Sequence, residues 1–414
     1  MPTTQSWDTV YERKVITLLS LGFGLLGLDR WVLPPLFPSM MTELHLDYQD
    51  LGNLVGILGI MWGVSSIFMG GVADRVGRKR VLVPAIAVFS LLSALSGAAA
   101  GFASLLLVRA LMGVADGAVA PTSVAVALEA SHPKRIGLNS GLYQCALALF
   151  GLAVAPIVAT QLLAVLSWRS VFLIVGIPGL IVAATMWVTI RDAPAVLSSG
   201  AATQKRAPLS HVFRHRNVLL AMAALLCAMT GALVLSAITP SYLTDFLQLT
   251  RRQMGLVTSG IGFGGFVGQL IVLTLSDFIG RRPAALGSFA FAAVFLWLFI
   301  RTGANPPILF ALLFGTAFFT FGALAVLAGP IVAEAAPIGL VATVAGAVIG
   351  AGEIFGGGIA PAIAGGIAKN YGIQFTPYFA LVGLFCGLTV SLLLRETAPR
   401  RSKTHGGFVQ ESVT

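Results

Sequence analysis

The chain has 414 residues, of which 57% are hydrophobic and 10% are charged, and its formal net charge is +10. An ordinary soluble domain carries about 25% charged residues, so this composition excludes a soluble globular protein and indicates an integral membrane protein. The Lys and Arg residues are spread over many short loops instead of one basic patch, which argues against a nucleic-acid partner.

Twelve apolar stretches are long enough to cross a lipid bilayer as helices, which takes about 20 residues each. In chain order they are predicted at 14–36, 50–73, 81–101, 103–130, 138–165, 170–190, 217–243, 254–276, 283–302, 306–332, 339–367 and 374–395. Pro34, Pro35 and Pro38 are expected to break the first helix near its outer end. The alternating pattern of a membrane barrel is absent, so the predicted fold class is an all-α membrane protein.

The charges of the loops predict the orientation of the chain. Of the 26 Lys and Arg residues, 19 lie in the N-terminal tail, in the alternate loops beginning with 74–80 and in the C-terminal tail, whereas the opposite loops carry five. By the positive-inside rule, both termini are predicted to be cytoplasmic in a bacterial-type inner membrane. The first apolar run is too long for a signal-peptide core, so we expect it to stay as an anchor.

A short charged phrase occurs twice, as GGVADRVGRKR at 70–80 and as SDFIGRR at 276–282. Asp74 and Asp277 are 203 residues apart, while 151–156 recurs as 356–361 and Glu129 recurs as Glu334, both 205 residues on. Matches at nearly one offset predict two homologous bundles of six helices, which is the architecture of a secondary transporter.

The apolar rhythm is interrupted once, by a Ser/Gly/Ala stretch followed by a basic run. The chain is therefore predicted to contain an N-terminal bundle at 1–190, a cytoplasmic linker at 191–216, a C-terminal bundle at 217–395 and a cytoplasmic tail at 396–414. The tail is short and charged, so it offers no further domain. We expect a monomer.

The first phrase reads Gly70-x-x-x-Asp74-Arg75-x-Gly77-Arg78-Lys79, and it resembles the loop 2–3 signature of the major facilitator superfamily. The resemblance covers nearly the whole chain and implies twelve transmembrane helices in two pseudo-symmetric bundles. It also implies a cytoplasmic gate made of both phrases and of acids at helix ends. The residues of this predicted gate are Gly70, Asp74, Arg75, Gly77, Arg78, Asp277, Gly280, Arg281, Glu129 and Glu334.

The chemistry of the phrase is compatible with such a gate. Gly77 and Gly280 permit a tight turn, Asp74 can satisfy a neighbouring helix N-terminus, and Arg78 can pair with a carboxylate on the facing bundle. The alternative is that the arginines only enforce the membrane topology.

Three further phrases are similar to the anion:cation symporter branch of that superfamily, which includes bacterial sugar-acid carriers. They are Asp29-Arg30, Arg109-x-x-x-Gly113-x-x-Asp116, and Ser167-Trp168-Arg169 followed by Phe172. The chain departs from the branch at Asp116, where Glu is commoner, at Glu353, where a neutral polar residue is more usual, and in lacking a cation in helix 7. In this branch the acids of helices 1 and 4 are associated with proton coupling, and the arginines with the substrate carboxylate.

Five charged side chains are predicted to lie inside the membrane, namely Asp29, Arg30, Arg109, Asp116 and Glu353. An ionised group at the bilayer centre costs about 2.5–3.5 kcal/mol, so such groups persist mainly where they pair or line a wet cavity. Arg109 and Asp116 are seven residues apart, so they share one helix face about 10 Å apart and line the same cavity.

These residue types divide the chemistry between them. Arg30 and Arg109 stay charged and can hold a carboxylate through two parallel hydrogen bonds, so they are predicted to bind the substrate anion or to pair with the acids. Asp29 and Asp116 can change protonation state and are predicted to couple transport to protons. Glu353 is predicted to bind substrate or a proton. The alternative is a pair of internal salt bridges that tie helix 1 to helix 4.

Among uncharged residues, Trp62, Tyr143 and Gln144 are candidates for contact with substrate by stacking or hydrogen bonding, although such residues also serve as packing or lipid-facing side chains. All five histidines lie in loops or tails, which argues against a histidine proton relay. The sequence has no Walker loop and no metal-ligand cluster, so we expect neither a cofactor nor a metal.

The predicted function is therefore proton-coupled import of a small organic anion, such as a sugar acid, an aromatic acid or a dicarboxylate, and not an enzymatic reaction. The alternative is proton-antiport export of drugs or metabolites. Exporters of this kind usually carry a Gly-Pro-x-x-Gly-Gly-like phrase in helix 5, whereas 155–160 reads APIVAT here. A sensor would be expected to add a soluble domain or lose the buried charges.

Overall fold

The computed structural model describes residues 8–133, 135–191, 216–335 and 341–397. Within these ranges all regular structure is helical, and twelve helices are long and apolar enough to span a membrane. They are α1 (Thr9–Leu44), α2 (Tyr48–Ala73), α3 (Arg78–Ser96), α4 (Phe102–Ala130), α5 (Ile136–Leu162), α6 (Trp168–Thr189), α7 (Arg216–Phe246), α8 (Arg251–Ile279), α9 (Arg281–Arg301), α10 (Pro306–Ile331), α11 (Val348–Tyr371) and α12 (Ile373–Leu392).

The twelve predicted spans are confirmed, and the largest differences lie at their ends. α1 begins at Thr9 instead of 14 because the Asp8 carboxylate caps it, accepting a hydrogen bond of 3.0 Å from the Tyr11 amide. The helix that contains α2 continues to Val76, beyond its apolar part. Most of the predicted linker, at 192–215, and most of the predicted tail, at 398–414, lie outside the described residues.

α1 is interrupted inside the membrane. Its two α-helical segments, Thr9–Trp31 and Leu33–Leu44, meet at Val32. Pro34 and Pro35 have no N–H group to donate, so the hydrogen-bond ladder cannot run through this point. The predicted break is confirmed at Pro34 and Pro35, shortly after the charged pair at 29–30, whereas Pro38 lies inside the helical segment Leu33–Leu44 and does not break it.

The duplication seen in the sequence reappears in the backbone. α5 and α11 each contain a seven-residue π-helical segment, Ala148–Val154 and Glu353–Ile359. These segments are 205 residues apart, the same offset as the sequence repeats. π-Helical turns are rare and occur frequently at functional sites. The second segment begins with the charged residue Glu353, whereas the first begins with alanine.

The first half of the chain is α1–α6 and the second half is α7–α12. The two seven-residue π-helical segments, in α5 and α11, each pack on glycine from the other half. A Cβ atom added to Gly59 of α2 would overlap the backbone of Gly357, and one added to Gly56 would lie 2.5 Å from the Gly358 carbonyl oxygen. In α8, Gly262 lies in the same way against the backbone of Ala153. The halves therefore approach backbone to backbone, as small residues allow in membranes.

We expect Gly59→Ala to destabilise the protein by about 1–3 kcal/mol, because the added methyl group would push α2 away from α11. Gly287→Ala in α9 is the matched control, since a Cβ there meets no atom within 4 Å. Thermal unfolding in detergent should show a lower midpoint for Gly59→Ala and an unchanged or higher one for the control. Equal midpoints would show that the contact between α2 and α11 is loose.

Because the number of spans is even, both ends of the described chain lie on the same side of the membrane. We call this side the termini side and the opposite one the far side. On the far side, Lys369 Nζ lies 2.7 Å from Asp47 Oδ2, and the Tyr48 hydroxyl donates to Asp245 Oδ2 at 2.8 Å. Partial burial raises the pKa of the Asp47 carboxyl group, but hydrogen bonds from Lys369 and from backbone amides outweigh it and hold that pKa below its usual value. Both contacts join the two halves.

Candidate substrate and proton site

Arg30 of α1 and Glu353 of α11 form a salt bridge between the two halves. Arg30 Nη2 donates to Glu353 Oε2 at 3.2 Å, and the side chains are only 4% and 12% exposed. The sequence predicted both residues inside the membrane but not as partners, since they are 323 residues apart. The break of α1 and the π-helical segment of α11 therefore meet at one charged contact.

The Arg30 guanidinium lies against two aromatic rings. Its central carbon lies 4.4 Å from the centre of the Trp62 ring and 5.2 Å from that of the Trp31 ring. Cation–π contact offsets part of the cost of holding this charge away from water. Arg30 Nε is buried without a hydrogen-bond partner. Trp62, a candidate substrate contact, thus lies directly at the candidate site.

Asp29, Arg109 and Asp116 form the deeper part of the site, and each is only 1% exposed. Arg109 Nη1 donates to the backbone carbonyl of Asp29 at 3.3 Å, and its guanidinium carbon lies 5.5 Å from the centre of the Phe172 ring. Arg109 Nε and Nη2 have no partner. Arg109 contacts Asp29 of α1, and Asp116 lies within electrostatic range of Arg30 of the same helix. The two residues therefore share one face of α4, as their spacing predicted.

Neither aspartate in this cluster is paired. All four carboxylate oxygens of Asp29 and Asp116 are buried, and among the described residues no salt bridge reaches them. Asp116 accepts no hydrogen bond, whereas the Ser93 hydroxyl is close enough to Asp29 to act as a donor. Asp116 lies within electrostatic range of Arg30, Arg109 and Glu353, and Asp29 within range of Arg109 and Asp116. Native proteins rarely leave buried carboxylates unsatisfied, so these two groups need an explanation beyond structural support.

Two further candidates lie next to each other in α5 but differ in exposure. Tyr143 is 1% exposed, and its ring lies 5.2 Å from that of Phe23 in α1. Gln144 is exposed. Tyr143 therefore supports the packing of α1, and only Gln144 is open to solvent or lipid.

The first charged phrase forms an ion pair within the first half. Gly77 has a φ of +107° and separates α2 from α3, as the predicted tight turn requires. Arg78, the first residue of α3, pairs with Glu129 near the end of α4 and donates to the Ala125 carbonyl at 3.3 Å.

The second phrase is built alike in the second half. Gly280 has a φ of +104° and separates α8 from α9. Arg281 Nη1 lies 2.6 Å from Asp277 Oδ1, and Arg281 Nη2 lies 3.2 Å from Glu334 Oε1. Each arginine therefore pairs with the predicted helix-end acid, Glu129 or Glu334, of its own half.

Other residues of the predicted gate carry less information. Gly70 faces Pro121 with room for a Cβ atom at 3.7 Å, and Arg75 is exposed. The side chain of Asp74 lies outside the described residues. Pairing of Arg78 across to the facing bundle was expected, whereas the acid it contacts here belongs to its own half. The gating role itself stays a prediction.

Sequence reasoning missed a buried acid on the termini side. Glu12 of α1 is 3% exposed, and it accepts from Arg135 Nη2 at 2.6 Å and from Asn139 Nδ2 at 2.7 Å, both near the start of α5. Glu12 precedes the apolar run predicted to begin at 14, so nothing in the sequence pattern signalled its burial. This contact ties α1 to α5.

The segment at 167–169 makes contacts within the first half, on the far side. The Trp168 indole N–H donates to Glu43 Oε2 at 2.5 Å. Arg169 Nη1 donates to the carbonyls of Gly97 at 3.1 Å and of Ala99 at 2.8 Å. These contacts hold the end of α1 and the α3–α4 loop against α6, and so support Phe172 beneath Arg109.

A search against family models matches the Major Facilitator Superfamily at residues 19–247 and 220–412, which together cover almost the whole chain. The chain belongs to this superfamily. It is therefore a multi-pass membrane transporter and not an enzyme. The sequence prediction of the superfamily and of its twelve-helix fold is confirmed.

Several curated members of the superfamily are similar to this transporter. A probable 4-methylmuconolactone transporter of Cupriavidus pinatubonensis is 28% identical over 363 residues, covering 84% of this chain and 83% of the relative. The hexuronate transporter of Bacillus subtilis is 29% identical, with 66% of each chain covered. The 3-(3-hydroxy-phenyl)propionate transporter of Escherichia coli is 28% identical, with 60% of each covered.

Solved structures support the fold. A bacterial homologue of the human lysosomal transporter Spinster, in an inward-facing and occupied conformation, matches with a TM-score of 0.75 and 18% identity, over 93% of this chain and 97% of that one. At this identity the likeness concerns the fold alone.

Proposed function

We propose that this transporter is a proton-coupled symporter that imports a small organic anion by alternating access. The observation that carries the proposal is the buried cluster formed by Arg30, Arg109, Asp29, Asp116 and Glu353, in which neither aspartate has an ion-pair partner among the described residues. Buried ionisable groups of membrane proteins typically mark substrate and proton pathways.

Arg30 is the proposed anchor for the substrate carboxylate. Contacts with the rings of Trp62 and Trp31 restrict the orientation of its planar group before substrate arrives. Guanidinium groups bind carboxylates through two parallel hydrogen bonds, which adds both energy and geometric selectivity. The names of the relatives, which include transporters for a hexuronate and a hydroxyphenylpropionate, agree with an organic acid as substrate.

Charge balance links this anion to protons. The cluster contains two arginines and three acids, so with every group ionised it carries one excess negative charge. A bound monoanion would add a second negative charge, inside the membrane, where a charge without a counter-ion is costly. Binding of the anion therefore favours protonation of one acid. We assign the uptake of that proton to Asp116 and Asp29, because their carboxylates have no ion-pair partner among the described residues.

The position of the cluster suits alternating access. Arg30 belongs to the first half and Glu353 to the second, so their contact must change when the halves rock about the site. The contacts of Asp47 and Tyr48 join the two halves on the far side. We propose that the ion pairs of Arg78 and Arg281 rearrange as a gate on the termini side when the far side opens.

The distribution of loop charge supports a bacterial inner-membrane location with the termini side in the cytoplasm. In that orientation, the far side faces the compartment from which substrate and protons enter. In proton-antiport export, the same fold would move substrate out while protons enter. The direction of substrate movement relative to protons therefore separates the two functions.

A binding screen tests the nature of the substrate. We expect purified protein to be stabilised against thermal unfolding by carboxylates such as glucuronate or 3-(3-hydroxyphenyl)propionate and not by neutral glucose. A ligand at about 100 times its Kd adds about 2.7 kcal/mol to the free energy of unfolding, which is easily detected. Stabilisation by neutral sugars alone would contradict an anion site.

A flux measurement tests the coupling. We expect proteoliposomes to accumulate the stabilising carboxylate when the lumen is made alkaline, by up to roughly tenfold per pH unit for one proton per anion. A protonophore should abolish the accumulation. Uptake that ignores the pH gradient, or efflux driven by proton entry, would contradict symport.

A further inference from the structure

We propose that Glu353 is an internal competitor of the substrate: its carboxylate occupies Arg30 in the empty transporter, and it must leave, protonated, for the substrate carboxylate to bind there. This inference rests on the proposed function and adds a mechanism to it. It assigns to Glu353 neither contact with a cationic part of the substrate nor a purely structural role.

The geometry of the contact favours exchange. Glu353 accepts a single hydrogen bond from Arg30, from Nη2 to Oε2 at 3.2 Å, while Arg30 Nε stays buried without a partner. A free carboxylate that bridges Nη2 and Nε would make two hydrogen bonds in place of one. Glu353 therefore stabilises Arg30 in the absence of substrate but leaves it incompletely bonded.

The packing around the pair explains why Glu353 reaches Arg30 in this single way. A Cβ atom at Gly357, one turn along α11, would lie 2.6 Å from Glu353 Oε2 and 3.3 Å from Arg30 Nη2. The absence of a side chain at 357 is what lets the two charged groups meet. The rings of Trp62 and Trp31 also lie against the guanidinium.

Few other charges act on Glu353. Arg30 faces it from α1, and Asp116 from α4 lies within electrostatic range. Among the helices packed against its segment, α2 has no charged residue between 51 and 73, α7 has none between 217 and 244, and α11 has only Lys369, at its far end. Loss of contact with Arg30 would thus leave Glu353 near one acid and no base, which favours its protonation.

The cycle follows from these contacts. A substrate carboxylate displaces Glu353 from Arg30. Glu353 has then lost its counter-charge, and it takes up the proton that Asp116, which lies within electrostatic range, has carried in. When substrate leaves, Arg30 draws the ionised form of Glu353 back, and the proton is released. The exchange also changes the contact between the halves, since Glu353 and Arg30 lie on different ones.

The test compares Glu353→Gln with Glu353→Asp, which keeps the acid. Binding is measured with 3-(3-hydroxyphenyl)propionate and with glucuronate, by thermal shift across a range of pH. Because glutamine cannot compete as an anion, we expect Glu353→Gln to bind at least tenfold more tightly than wild type at neutral pH and to match it at acid pH. Glu353→Asp should keep the rise in affinity toward acid pH.

Two other outcomes distinguish failure of the competition model from failure of the proposed anion site. If Glu353→Gln binds no more tightly than wild type, with the same dependence on pH, the competition model is wrong while the proposed symport stands. If neither acid stabilises wild type or variant at any pH, the proposed anion site fails as well. Should Glu353→Gln not fold, Gly357→Ala replaces it: the added methyl group pushes the pair apart, so affinity should rise at neutral pH, and a fall or no change would overturn the model.

Discussion

Asp116→Asn is expected to leave exchange of substrate across the membrane close to the wild-type rate and to abolish accumulation driven by a proton gradient. Asparagine has the shape of a protonated aspartate but cannot release a proton. The Asp116 carboxylate is buried and unpaired, so no hydrogen bond is lost by the substitution. Exchange needs only the loaded carrier to move back and forth, whereas accumulation needs the proton to be delivered.

Proteoliposomes measure both activities on one preparation. Exchange is followed with labelled substrate outside and excess unlabelled substrate inside, and accumulation with an alkaline lumen. Asp8→Asn is the matched control, because the Asp8 side chain is half exposed and pairs with Arg191 at the membrane surface. Equal loss of exchange and accumulation would instead make Asp116 a structural or substrate-binding residue.

Arg30→Ala is expected to weaken substrate binding by roughly 30-fold or more, because removal of one partner from a buried charged hydrogen bond costs about 2–5 kcal/mol. Arg30→Lys keeps the charge but loses the planar fork, so its affinity should lie between those of wild type and Arg30→Ala. Ranking the three proteins therefore separates the effect of charge from that of geometry.

The control for Arg30→Ala is the removal of an arginine that lies away from the site. Arg301 at the end of α9 is exposed and stacks on Trp297 at 5.5 Å, so Arg301→Ala serves as the control. Thermal unfolding without ligand reports whether each variant is folded before affinity is compared. Unchanged affinity in a folded Arg30→Ala would remove Arg30 from the anion site.

The fold could be predicted from the sequence because its determinants are local or repeated. Twelve apolar runs specify twelve spans, and the repeated Asp-Arg-Gly phrases specify two halves. The proline break of α1 follows from the chemistry of proline itself. The ends of the spans were less predictable because caps such as Asp8 extend a helix past its apolar part.

The members of the candidate site were also predictable, since charged residues are conspicuous in apolar segments. Their partners were not. The contact of Arg30 with Glu353 depends on how closely α2 and α11 approach, and this approach is fixed by glycines at 59 and 357 that carry no chemical signal of their own. A pattern along the chain cannot report a distance between two halves.

The same limit applies to the charged loops. The sequence suggested a partner for Arg78 on the facing bundle, but the acid that Arg78 contacts is Glu129 at the end of α4. α3 and α4 pack against each other in the first half, so Glu129 lies within reach of Arg78 without a contact to the other half.

The most direct test of proton-coupled anion import is the movement of protons caused by substrate alone. Proteoliposomes with a pH-sensitive dye in the lumen and no imposed gradient receive the carboxylate from outside. The account predicts that the lumen acidifies as substrate enters and that Asp116→Asn abolishes this signal. Substrate entry with an unchanged lumen pH, or with an alkaline shift, would contradict it.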